Sequence, residues 1–136
     1  MFKKIFIPII LAVCLALTFF VNNFPVFYSY SNSLEIYDKG KSSGNIISIS
    51  NFSAIFRHKY GEAFVTEKNQ FQLQNFLKNF NAKIIFFEEI EKGTCYYAYS
   101  PKIKYFESIN GEIINLHIYI GEVSVKVGSP LIYGGY

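Results

Sequence analysis

The chain has 136 residues, enough for one domain and little more. Its formal net charge is +3, with 13 Lys and Arg against 10 Asp and Glu. No basic stripe concentrates that charge, so nucleic acid binding has no electrostatic support. Two cysteines are too few for a disulfide framework.

Met1-Phe2-Lys3-Lys4 opens the chain, and Ile5 to Val21 follows without a charge. A basic start before an apolar run is the pattern of an export segment. The run exceeds the usual signal h-region of about 7–15 residues and falls short of a membrane span of about 20. Residues 1–31 therefore read as a signal peptide, or as an N-terminal anchor with its tether. An uncleaved segment would hold the protein in the membrane through residues 5–21. Ser29 and Ser31 supply small residues at the −3 and −1 positions, which allows cleavage before Asn32. Leu11-Ala12-Val13-Cys14 approaches a lipoprotein site. Val13 is too large for it, however, and the residues after Cys14 stay apolar. Cys14 thus reads as part of the apolar run. Without Lys3 and Lys4, the remaining chain is nearly neutral.

Residues 32–136 read as a single small domain. Leu34-Glu35-Ile36-Tyr37 is a short strand, and the residues from Lys39 to Asn45 form a loop by composition. Strands are expected at 46–50 and 53–58. A turn at Tyr60-Gly61-Glu62 leads to a strand over Ala63-Phe64-Val65-Thr66. Asn51-Phe52-Ser53 matches an N-glycosylation acceptor, which would carry no meaning if the protein is bacterial.

The spacing predicts one helix of about three turns. Asn69 and Gln72 form a capping-box pair. Leu73, Phe76, Leu77 and Phe80 then share one face, which core packing explains. Asn81 suits a left-handed end.

The rest is β. Ile84 to Ile90 and Cys95 to Tyr99 pair across a turn at Glu91-Lys92-Gly93, and Pro101 ends the second strand. Asn110-Gly111 is the dipeptide of a two-residue type I′ hairpin. It joins Ile103–Ile109 to Glu112–Ile120. Gly121-Glu122 fits a type II′ turn, pairing Ile120 with Val123, Ile118 with Val125 and Leu116 with Val127. Across the first hairpin, Ile103 would face Ile118 and Tyr105 would face Leu116. These residues define one core face. Asn115, His117, Tyr119, Ser124 and Lys126 fall on the other. The Gly- and Pro-punctuated tail from Val127 to Tyr136 reads as a last extended segment tucked against the domain. The whole is an α+β fold: an antiparallel sheet of about five or more strands on one amphipathic helix.

No catalytic residue, cofactor-binding residue or metal ligand is assigned. His58, His117 and Cys95 cannot fill the four positions of a structural zinc site. Cys95 and His117 would make a thiol–imidazole pair only if the fold joined them, and no orienting carboxylate or amide is evident. Cys95 reads more simply as a small buried residue. Alternation sends Glu88 and Glu89 to opposite faces, so they do not form a carboxylate pair. Tyr97, Tyr99, Tyr119 and His117 are the residues of a possible interaction surface, because tyrosine supplies contact area at low entropic cost. Half-buried strand positions explain the same tyrosines.

Three short stretches resemble a known family: Tyr99-Ser100-Pro101, Asn115-Leu116-His117-Ile118, and Val127-Gly128-Ser129-Pro130-Leu131-Ile132 with a closing Tyr136. Over roughly residues 70–136 the chain resembles YwmB-like exported proteins of Bacillus and Clostridium relatives, a family named TATA-box-binding-like for its fold. The resemblance implies an α+β fold and a non-enzymatic role at the cell surface. The expected function is a small binding or interaction module, secreted or held on the outer face of the cytoplasmic membrane. Its expected partner is a protein or envelope component. The alternatives are an envelope enzyme using Cys95 and His117, and a subunit of an envelope or sporulation assembly.

Overall fold

The computed structural model describes residues 2–38, 44–50 and 59–136. The expected strand at 53–58, the Asn51 acceptor motif and His58 lie outside the described residues.

The apolar run forms one helix, α1 (Phe2–Asn23), with Pro8 inside it. No part of its apolar stretch is buried in the protein, and Ile5–Asn23 is long and apolar enough to cross a membrane. By length and composition it suits a signal sequence or an anchor.

The remaining elements are β1 (Ser33–Tyr37), β2 (Asn45–Ser48), β3 (Gly61–Glu67), α2 (Leu73–Phe80), β4 (Lys83–Ile90), β5 (Gly93–Tyr99), β6 (Glu107–Ile109), β7 (Glu112–Ile114), β8 (Leu116–Gly121) and β9 (Ser124–Ser129). Among the described residues, seven strands build one antiparallel sheet in the order β2-β1-β3-β9-β8-β5-β4, and β6 pairs with β7 alone. The α+β architecture is thus as expected. The early strands enter the same sheet by pairing β3 with β9, from Glu62 opposite Ser129 to Glu67 opposite Ser124.

One face of the sheet carries Leu34, Ile36, Phe64, Ala98, Leu116, Ile118, Val125 and Val127, all buried beneath α2. The helix contributes Phe76 and Leu77, with Leu73 and Phe80 packed at the margin. Each fully buried side chain of this size stabilises by about 1.5–3 kcal/mol. Asn81 ends the helix in the left-handed region at φ 50°, as its short polar side chain permits.

Four local expectations are corrected. The helix starts at Leu73, with Gln72 as N-cap and no side-chain cap. Asn69 lies instead in a 3₁₀ turn, Lys68–Gln70. Phe71 explains this: it is extended, at φ −106°, and packs against the core, which breaks the helical path. The expected turn at Gly61-Glu62 is already strand β3.

The Asn110-Gly111 turn forms with both residues at positive φ, as type I′ requires, and Glu107 faces Ile114. Its first arm does not reach the main sheet. Ile118 pairs with Tyr96 on one side and Val127 on the other, so no edge is left for Ile103. The β8–β9 connection is also longer than a two-residue turn. Ile120 pairs with Val125 and Ile118 with Val127, a shift of two residues from the expected register. A two-residue shift preserves side-chain parity, so the core face survives. Val123 is what leaves it, at 80% exposure.

The core also reaches back beyond the expected boundary at Asn32. Phe27 is 0% exposed. Its ring lies 5.1 Å from Phe64, 5.9 Å from Phe80 and 6.4 Å from Phe76. Tyr30 stacks on Phe64 at 5.6 Å and meets Phe76 at 5.1 Å. The stretch that composition marks as tether is therefore part of the fold.

Candidate functional site

The face opposite α2 holds Cys95, Tyr97, Tyr99, His117 and Tyr119. Strand register sets it out in two rows. Phe86, Tyr97, His117 and Gly128 are successive partners across β4, β5, β8 and β9. Glu88, Cys95, Tyr119 and Lys126 form the neighbouring row. A register shift between Ile84 and Phe86 turns Phe86 onto this face. The rings then stack continuously, Phe86 on Tyr97 at 4.4 Å and Tyr97 on His117 at 4.5 Å.

The C-terminal tail covers these rows. Ile132 donates its N–H to His117 Nδ1 at 3.2 Å. Tyr136 stacks on Tyr119 at 4.3 Å and meets the His117 ring edge-on. Lys126 donates to the Gly135 carbonyl at 2.8 Å and pairs with Glu35 at 2.7 Å. Gly128 is needed where the tail passes over it. A Cβ there would stand 2.7 Å from the Leu131 carbonyl oxygen and 2.8 Å from Ile132 Cγ1. The tail is thus tucked against the domain, as its sequence suggests.

Covering changes the chemistry of the face. His117 is 3% exposed, and burial lowers its pKa to about 4. Its Nδ1 accepts a hydrogen bond from the Ile132 N–H, so the neutral ring carries its proton on Nε2. Burial pushes the Cys95 thiol up, with Glu88 adding to the shift and the Tyr136 hydroxyl opposing it. Register makes Cys95 and His117 diagonal neighbours, but both titrations run the wrong way for a thiolate–imidazolium pair. Tyr97 is raised to about 12, first by burial and then by Glu88, whose Oε2 accepts its hydroxyl at 3.3 Å. Of the four surface candidates, His117 and Tyr119 are buried, Tyr97 is half-buried, and Tyr99 stays exposed.

Three polar arrangements had no signal in the sequence. Lys59 and Glu62 form an ion pair at 3.1 Å with side chains 1% and 2% exposed. Burial pushes the Glu62 carboxyl up, and Lys59 opposes that shift. Asn115 accepts the Ser100 N–H at 2.7 Å and donates to the Ser100 and Ile103 carbonyls at 2.7 and 3.0 Å. This amide diverts residues 100–103 away from the sheet and ties the Ser100–Ile103 segment to the start of β8. Tyr60 and Tyr133 both donate to Glu107 Oε1, which fastens the β6–β7 hairpin to the tail.

An open groove of about 320 Å³ runs between β3 and α2. Tyr30, Phe71 and Phe76 line it beside the amides of Gln70, Gln72, Asn75 and Asn79. Among the described residues, no group of three His, Cys, Asp or Glu side chains is placed to hold a metal ion. No family model, curated protein or solved structure matches the chain.

Proposed function

We propose that this chain is a small non-catalytic binding module carried on the outer face of the cytoplasmic membrane, with a protein or envelope component as its partner. The observation that carries the reading is α1, an apolar helix with no residue of its membrane-length stretch buried in the domain, feeding a folded α+β domain. The protonation of the Cys95–His117 face supports binding over nucleophilic chemistry. The resemblance to YwmB-like exported proteins belongs to the same proposal.

Topology tests it first. Ser108 is exposed, so Ser108→Cys in a Cys14→Ser background gives a reactive thiol on the domain. A membrane-impermeant maleimide is expected to label it in intact cells. Labelling only after lysis refutes an outward-facing domain. A photocrosslinking residue at exposed Tyr99 then tests binding, where a discrete adduct with an envelope component is expected. Adducts no different from those at Val123 count against this face.

A further inference from the structure

The helix joins the domain without slack. Asn23 ends α1, and its carbonyl accepts from Lys59 Nζ at 3.2 Å. Lys59 is held by Glu62, which also accepts the Phe27 N–H at 2.8 Å. Lys104 Nζ donates to the Asn22 side-chain oxygen. A buried ion pair is retained only where its remaining hydrogen bonds are met. Here two of those bonds come from Asn23, the last residue of α1, and from Phe27 just after it. Cutting the chain before Asn32 would remove them, together with the Phe27 and Tyr30 rings.

We infer that α1 is kept after export, and that the domain sits directly on the lipid bilayer with Phe24 and Tyr28 in the interfacial layer. The inference rests on the outward-facing reading above. Nineteen residues, Ile5–Asn23, rise about 28 Å as a helix, close to the hydrocarbon thickness of about 30 Å. Asn23 then stands at the boundary of the headgroup layer. The four residues from Asn23 to Phe27 reach at most about 14 Å, and Phe27 is fixed in the domain core. Phe24 and Tyr28 flank this junction, 46% and 42% exposed, with ring centroids 4.9 Å apart. Aromatic side chains with one wet and one apolar side favour that depth. β3 starts at Gly61, beside the ion pair, and its far end at Glu67 pairs with Ser124. Val123 therefore lies at the far end of β3, about 20 Å along the strand from the ion pair.

The chain has no tryptophan, so a single one reports its own depth. Full-length protein carrying Phe24→Trp, Tyr28→Trp or Val123→Trp would be placed in vesicles of phosphatidylglycerol and phosphatidylethanolamine with brominated acyl chains. Emission at 24 and 28 is expected to be blue-shifted and quenched at least twofold, and emission at 123 to match that in unbrominated vesicles. Protein extracted from native membranes should keep the mass of the full chain, 15.7 kDa. Equal, unquenched emission at all three sites overturns the seating. A mature form beginning at Asn32 overturns the retention and leaves export standing. An inward-facing domain in the maleimide experiment refutes the export reading instead.

Discussion

Phe27 offers the sharpest test of where the domain begins. Its side chain is fully buried among Phe64, Phe76 and Phe80. Phe27→Ala removes a transfer contribution of about 2 kcal/mol. It also leaves a cavity that α2 and the sheet cannot fully close, which raises the expected cost to about 3–5 kcal/mol. For a domain of this size, 1 kcal/mol moves the melting temperature by roughly 4–8 °C. The variant should therefore melt at least about 12 °C lower. Full-length protein in detergent, followed by near-ultraviolet dichroism of its tyrosines, gives the comparison. Val123→Ala serves as control, because its side chain is exposed, and it should stay within about 0.5 kcal/mol of the parent. If Phe27→Ala behaves like Val123→Ala, residues 24–31 are a tether, and the case for a retained helix falls with that result.

Lys59→Met should cost about 3–5 kcal/mol, since it strands a buried carboxylate. Lys59→Met with Glu62→Gln should recover much of that loss, because the amide oxygen still accepts the Phe27 N–H; urea titrations of both measure the coupling. His117 predicts a pH dependence. Its folded pKa of about 4 lies below the usual 6.5, so the unfolded chain takes up the proton first as pH falls. Stability is full above pH 6.5 and declines toward pH 4 by up to about 1.4 kcal/mol per pH unit. His117→Gln should remove this part of the slope when unfolding at pH 7 and pH 5 is compared. Gly128→Ala should lift the tail and expose Cys95. In a Cys14→Ser background, thiol labelling should then speed up at least tenfold, and an unchanged rate would show that the tail does not shield the thiol.

Much of the fold was legible because its signals are local or periodic. The Asn110-Gly111 turn needs two positive-φ residues, and few dipeptides supply them cheaply. The α2 stripe and the β8–β9 alternation report burial directly. The β8–β9 pairing is displaced by two residues from the one a two-residue turn gives, and side-chain parity keeps the same face toward the core. The main-chain carbonyl of Val123 accepts the Lys68 N–H at 3.0 Å, a tertiary bond that favours the longer connection and has no trace in the local sequence. Asn115 shows the same limit. Alternation places it on the outer face, yet its amide is buried because the 100–103 segment wraps around it.

The site was hidden for a related reason. Alternation separates two faces of a sheet, but it does not say which of them meets water. Here both are covered, one by α2 and one by the seven residues that follow β9, so polar character at His117 and Lys126 reports partners and not solvent. The partners are main-chain groups of the tail itself, Ile132 N–H and the Gly135 carbonyl. The junction at α1 follows the same logic. Phe24, Phe27, Tyr28 and Tyr30 are set among Asn and Ser, and a compositional reading weighs the polar residues. A mobile tether has little use for four large rings within seven residues, since each left in water forgoes its burial free energy. Two of the four are spent on the core. The other two face outward at the end of a helix long enough to cross a bilayer, and that division is what ties the apolar helix and the domain into one structural unit.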